Sequence, residues 1–239
     1  MIYASRSEQG LRNRNEDNIA IPGEGDIPLV IVADGMGGHN AGQMASRIAV
    51  QTALSEIKLN SEGDTEAALK NAVITANRAV LEYAHNKPEC SGMGTTMVMA
   101  LLSSAHFVAA NVGDSRLYHF DGINLVQITI DHSYVQELVA AGYITAQQAK
   151  HHPQRNIITR ALGTHEIEKV DLFRCKWNEG DILMLCTDGL YEALEVYDII
   201  RVLKEETSLS DACDALVQDA IYGGSTDNIS IVLVKNSGG

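Results

Sequence analysis

The chain has 239 residues, 45% of them hydrophobic, with four prolines and a formal net charge of −13 from 31 acidic and 18 basic side chains. That is enough apolar content for a sizeable core, and a surface this acidic repels DNA, RNA and anionic lipid. No run approaches the ~18 apolar residues that a membrane span needs, and Met1 to Gly10 lacks the apolar centre of a signal peptide.

Strand signals come first in chain order. Leu29 to Ala33 is a continuous apolar run that stops at Asp34. Two apolar stripes at helical spacing follow: Ala45, Ile48, Ala49, Thr52, Ala53 and Ile57, then Leu69, Val73, Ala76, Val80 and Tyr83. Gly94 to Leu102 and His106 to Val112 read as strands, the second ending at Gly113-Asp114. Arg116 to Phe120 and Leu125 to Thr129 are predicted strands around the turn Asp121-Gly122, a hairpin signal. The segment 133–163 carries two short helix patterns with capping-box starts, Ser133 to Gln136 and Thr145 to Gln148, separated by Gly142. Asp181 to Cys186 is a further strand, leading into Thr187-Asp188-Gly189. A second helix pair spans Val196 to Leu203 and Leu209 to Ile221, and Ile229 to Val234 closes the pattern directly after Asp227-Asn228. Strands joined by short turns must be mostly antiparallel, so the chain reads as an α+β layered domain. Cys90, Cys175, Cys186 and Cys213 form no C-x-x-C pair; they are expected as reduced thiols in a cytoplasmic protein.

Asp34, Asp114 and Asp188 each follow an apolar run, and Asp227 precedes one. In an antiparallel arrangement the end of one strand lies beside the start of its neighbour, so all four can share one rim. Crowded carboxylates repel one another unless a cation neutralises them. Oxygen-only ligation suits Mg²⁺ or Mn²⁺, whereas zinc would recruit Cys or His. A lone Asp-Gly step is ordinary turn chemistry. Here the acids sit inside longer strings: Arg12-Asn-Arg-Asn-Glu-Asp17, Val32-Ala-Asp-Gly-Met-Gly-Gly-His39, Gly92-Met-Gly-Thr-Thr96, Asn111-Val-Gly-Asp-Ser-Arg116, Asp131-His132-Ser133, Cys186-Thr-Asp-Gly-Leu190 and Gly224-Ser-Thr-Asp-Asn-Ile229.

In order and spacing, these strings resemble the metal-dependent Ser/Thr protein phosphatases, the type 2C or PPM family, and its short bacterial members most of all. The resemblance runs from about Gln9 to Val234. It implies a four-layer α-β-β-α sandwich, two antiparallel sheets flanked by helix pairs, with residues 1–239 as one catalytic domain and a small helical flap over 132–165. It also implies two core cations, Mn²⁺ or Mg²⁺, and a third as an option in bacterial members. By motif position Asp34 would bridge the core pair, the Gly35 carbonyl would bind the first cation, and Asp188 and Asp227 would hold the second. Asp17 and Glu16 would act mainly through metal-bound water, and Asp114 with Asp188 matches the third site. Arg12 matches the phosphate-binding arginine, whose planar fork suits two oxygens. His39 matches a general acid for the leaving alkoxide. Asn228 is expected to position Asp227, His132 to be structural, and Arg116 to make an internal ion pair, with substrate contact left open.

The function implied is hydrolysis of phosphoserine and phosphothreonine on proteins by metal-activated water, in a cytoplasmic monomer opposing a bacterial Ser/Thr kinase. Anti-sigma-factor antagonists are an alternative substrate class. A binding-only pseudophosphatase is disfavoured because every ligand position is filled, and a two-metal nuclease because the charge is acidic.

Overall fold

Strands that are apolar at every position, rather than at alternate ones, must be covered on both faces. In the computed structural model, which describes residues 1–38, 40–60, 63–167 and 169–238, the run Leu29–Ala33 (β3) is buried at all five positions. Its side chains divide by parity: Leu29, Ile31 and Ala33 pack under helices, while Val30 and Val32 face a second sheet. The same division holds in Ile182–Cys186 (β11) and Ile229–Lys235 (β12). There Met184 and Leu233 face helices, and Leu183, Leu185, Val232 and Val234 face the opposite sheet.

One sheet contains β3 with Asn18–Ala20 (β2), Met97–Leu102 (β6), His106–Val112 (β7) and Asp171–Lys176 (β10), in the order β10-β7-β6-β3-β2. The other joins Ile2–Glu8 (β1), β12, β11, Arg116–Phe120 (β8) and Leu125–Gln127 (β9), in the order β1-β12-β11-β8-β9. Every pairing within them is antiparallel. Between the sheets lies an apolar layer built on Val30, Val98, Phe107, Leu117, Leu185 and Val232. Each fully buried aliphatic side chain in such a layer contributes about 1.5–3 kcal/mol.

Helices Ala41–Leu59 (α1) and Thr65–Asn86 (α2) cover the first sheet. Val196–Glu205 (α6) and Leu209–Tyr222 (α7) cover the second. The expected four layers are therefore present. Small residues on α1 (Ala45, Ala49, Ala53) let it lie close to the sheet. Asp64 caps α2 through Glu66 N, and Ser208 caps α7 through Asp211 N. Among the described residues no helix is long and apolar enough to cross a membrane.

Three boundaries differ from expectation. The run Gly94 to Leu102 is two strands: Gly94–Thr95 (β5) leaves the main sheet to pair with Gly35–Met36 (β4), and β6 starts only at Met97. The break falls at Thr96, whose backbone N–H donates to the Asp34 carbonyl at 2.8 Å. Leu125 to Thr129 pairs only as far as Gln127; Thr129 turns its hydroxyl to accept from Leu117 N at 3.1 Å. Asp188 opens a short helix, Asp188–Tyr191 (α5), instead of lying in a plain turn. In the flap segment Thr145 and Gln148 form the reciprocal capping box of Ala146–Ala149 (α4). Ser133 caps Tyr134–Ala140 (α3) by accepting from Gln136 N. The segment returns to the body through bridges Ser133↔Ile158 and Thr95↔Leu162.

Candidate active site

Register within each sheet pairs the acids at one end, and the packing of the two sheets brings the pairs together. Asn18 pairs with Ala33, which sets Asp17 beside Asp34. Cys186 pairs with Ile231, which sets Asp188 beside Asp227. Met97 pairs with Val112, which brings Thr96 against the Gly113-Asp114 turn.

The backbone around each acid is clamped. Thr96 Oγ1 accepts from Asp34 N at 2.9 Å, and Thr95 Oγ1 donates to the Asp34 carbonyl at 2.7 Å. Gly35 can only be glycine, since a Cβ would overlap the carbonyl oxygens of Gly42 and Glu16. Gly189 is equally constrained by the Asn228 carbonyl. Asn228 joins three segments: its Oδ1 accepts from Glu16 N, its Nδ2 donates to the Gln9 and Arg14 carbonyls, and its own N–H donates to Asp227 Oδ1, each at 2.8 Å. Thr187 Oγ1 donates to Asp17 Oδ2 at 3.0 Å and accepts from Ser230 N at 3.0 Å. Arg12 reaches across the site to Asp227, Nη2 to Oδ2 2.6 Å.

These groups surround a cavity of about 720 Å³ lined by Arg12, Arg14, Glu16, Asp34, Gly35, Asp188, Asp227 and Asn228, with Asn156 and Ile158 from the flap segment on its wall. Asp17 and Asp114 lie behind this lining, 7% and 6% exposed. Burial pushes the Asp17 carboxyl up to about 7, with Asp188 and Asp227 adding repulsion and the Thr187 hydroxyl opposing it. Burial raises Asp114 to about 7 and Asp188 to about 6, each also repelled by neighbouring acids. Asp34 is driven well above the carboxylate range by burial and by Asp17, Asp188, Asp114 and Asp227 together.

Asp17, Asp34, Asp114, Asp188 and Asp227 are thus brought together, with Glu16, Gly35, Asn228 and Arg12 at the same cavity. His39 lies outside the described residues. Arg116 turns inward to Asp131, an internal ion pair at 2.6 Å. His132 is buried, its Nδ1 accepting from Gly113 N at 3.0 Å and its Nε2 facing Asp171 at 3.2 Å. Burial lowers its pKa, so the ring is neutral with the proton on Nε2. Sequence reasoning passed over the hydroxyls of Thr95, Thr96 and Thr187. Their signal was available: each stands within two residues of a glycine or aspartate inside the strings already singled out.

Cations fit this donor set. Asp17 Oδ1 and Asp188 Oδ1 are buried and find no hydrogen-bond partner among the described residues, an arrangement that costs free energy unless something else satisfies it. All the donors are hard oxygens. Among the described residues no three acidic, thiol or imidazole side chains close on one point by themselves. A cation held there would keep water in its shell, as Mg²⁺ does.

Comparison with known proteins identifies the family. Residues 4–220 match the family model described as protein phosphatase 2C. The serine/threonine phosphatase stp of Listeria welshimeri is 38% identical over 238 residues, covering 97% of this chain and 94% of that protein. The crystal structure of the serine/threonine phosphatase Stp1 from Staphylococcus aureus superposes with a TM-score of 0.92 at 36% identity, covering 98% of this chain and 94% of that one. The catalytic domain of the serine threonine protein phosphatase PstP, solved in complex with two manganese ions, superposes at 0.86 with 34% identity, covering 98% and 97%. A match of this extent, on motifs that fold into one acidic cavity, places the chain in the protein phosphatase 2C family.

Proposed function

We propose that this cavity hydrolyses phosphoserine and phosphothreonine esters on proteins, with divalent cations held by the acidic rim. The observation that carries the reading is a set of carboxylates at and directly behind the wall of a cavity that also holds an arginine, with buried oxygens on Asp17 and Asp188 that find no partner among the described residues. Asp34, Asp188 and Asp227, with the Gly35 carbonyl, would hold two cations. Asp17 and Glu16 would act through water, and Asp114 with Asp188 would hold a third. When bound, such ions neutralise charge on the phosphoryl oxygens and acidify the attacking water.

The chain's own residues supply the rest. Arg12 uses one N–H on Asp227, and its other donors, which meet no side chain or carbonyl among the described residues, would grip phosphoryl oxygens. Asn228 keeps Asp227 facing the cavity while tying it to Glu16. His39, by its place in the Asp34 string, donates a proton to the serine or threonine alkoxide as it leaves. Residues 132–165 act as a flap beside the cavity of one catalytic unit, 1–239. The cation is Mn²⁺ or Mg²⁺. The partners are phosphoproteins, among them a bacterial Ser/Thr kinase and its substrates, and the chain works as a cytoplasmic monomer.

The test is phosphate release from a phosphothreonine peptide with Mn²⁺, with EDTA, and for Asp188→Asn. Release is expected only in the first case. Activity that survives chelation or the substitution removes the metal reading, and an inactive but peptide-binding chain points to a pseudophosphatase. For His39→Ala, hydrolysis of a phosphoserine peptide should slow far more than that of an aryl phosphate, whose leaving group needs no proton; equal losses remove the general-acid assignment.

A further inference from the structure

Asp114 is one of the five acids at the site, yet it lies behind the cavity wall. A cluster of side chains with no part in the reaction described above holds the turn that carries it. Arg116, two residues on, points into the body. Its Nε lies 3.0 and 3.1 Å from the two Asp131 oxygens, its Nη2 donates to Asp131 Oδ2 at 2.6 Å, and its Nη1 donates to the Tyr118 hydroxyl at 2.9 Å. Its guanidinium carbon stacks 3.5 Å from the centre of the Tyr191 ring. Tyr191 ends α5, the helix that Asp188 begins, and its hydroxyl donates to the Asp114 carbonyl at 3.1 Å. Asp131 also accepts from Gln127 Nε2 at 2.8 Å. It directly precedes His132, which grips Gly113 from both sides: backbone N–H to the Gly113 carbonyl, and Nδ1 from Gly113 N, each at 3.0 Å.

Three parts of the chain therefore meet on one guanidinium: the Asp114 turn, the helix of Asp188 and the root of the flap segment. A largely buried ion pair is weak support for stability, because desolvation offsets its attraction, but it fixes geometry well. A planar fork that binds a carboxylate on one edge and stacks on an aromatic ring allows little rotation. Arg116 and Asp131 have side chains only 24% and 11% exposed, so neither is placed to meet substrate at the cavity.

We infer that Arg116, Asp131 and Tyr191 are positioning residues that lock the Asp114 turn to the helix of Asp188 and to the root of the flap, setting the spacing of the two acids and the seat of the flap together. This rests on the proposed role of Asp114 and Asp188 as cation ligands. Among the described residues the direct hydrogen bond from the cluster to Asp114 is that of the Tyr191 hydroxyl, so Tyr191→Phe severs it while keeping the ring against Arg116.

The experiment uses the full chain stripped of metal. Mn²⁺ binding is followed by calorimetry, alongside the Mn²⁺ dependence of p-nitrophenyl phosphate hydrolysis and the melting temperature, for wild type, Tyr191→Phe and Asp131→Asn. In Tyr191→Phe the weakest Mn²⁺ binding event should shift to concentrations on the order of tenfold higher. The tighter events and KM should hold, and kcat should recover at high Mn²⁺. Asp131→Asn should move the same event, because it loosens the same guanidinium. Unchanged isotherms in both variants, with only a lowered melting temperature, overturn the inference and leave the cluster as packing; so does a wild-type isotherm with no weaker event. A wild type that neither binds Mn²⁺ nor releases phosphate overturns the proposed function itself, and is told apart because no variant is needed to see it.

Discussion

Where β11 begins and β12 finishes, the buried polar side chains find partners within the protein. His119 Nε2 lies 2.8 Å from Asp181 Oδ2, which also accepts from Asn178 N at 2.8 Å. Trp177 Nε1 donates to the Ser103 carbonyl at 2.7 Å, and Asn236 Nδ2 to the Ser104 carbonyl at 2.9 Å. Where β11 finishes and β12 begins, Asp188 meets Asp17, Asp34 and Asp114 from the neighbouring strand ends, all with carboxyls pushed above their ordinary range. The three buried side-chain atoms without a partner among the described residues, on Asp17, Asn111 and Asp188, all belong to this end. One sandwich thus closes one end with internal hydrogen bonds and gathers mutually repelling carboxylates at the other. Unsatisfied buried acids lower stability, and a fold retains them where a bound cation uses them.

The contrast can be broken by substitution. The largest effect is expected at Asp34→Asn, which should lower phosphate release by on the order of a hundredfold or more while leaving the metal-free melting temperature at neutral pH unchanged or higher. Retained activity in that variant would separate the orphaned end from the chemistry.

The next effect is on pH dependence. Asp17 and Asp114 rise to about 7 and Asp188 to about 6 from the ordinary 3.8. Between those values the folded chain binds more protons than the unfolded one, so these groups favour folding below about pH 4 and lose that contribution as pH climbs through 7. Urea unfolding of the metal-free chain should therefore show a midpoint that falls from pH 4 to 7, and saturating Mn²⁺ should flatten the slope. A metal-free midpoint that rises over this window contradicts the burial of the acids.

At the matched end, Asp181→Asn should reduce stability by about 1–3 kcal/mol, measured by chemical denaturation, with no change in turnover per folded molecule. A fall in turnover would show that the two ends are coupled through β11. The smallest effect belongs to the surface. Lys150 Nζ lies 2.9 Å from Glu195 Oε2 with side chains 53% and 71% exposed, and water and salt screen such a pair. Lys150→Ala should leave the melting temperature unchanged, and a clear drop would mean that the flap contact is more than a surface ion pair.

Legibility in the sequence followed burial. β3, β7, β11 and β12 stood out because both of their faces are covered, which demands continuous apolar runs. β1, β2 and β10 carried no such run. They lie at sheet edges and are half-exposed, so their polarity is mixed, and β1 is held partly by Arg6 pairing with Asp214 on α7. The split at Thr96 was hidden because Gly94 to Leu102 is buried nearly throughout, whichever sheet each part joins.

The sequence by itself determined which residue types stand at strand edges, which strands are sandwiched, and, through motif order, which family they belong to. Only the tertiary structure decided that Asp17 and Asp188 keep an oxygen without a partner among the described residues, that Arg12 meets Asp227, and that the partners of Arg116 are Asp131 and the Tyr191 ring. The reason is range. Periodicity tells a side chain which face it takes, but pairing Arg12 with a residue near the far end of the chain depends on sheet order and register, which are set by contacts between distant segments.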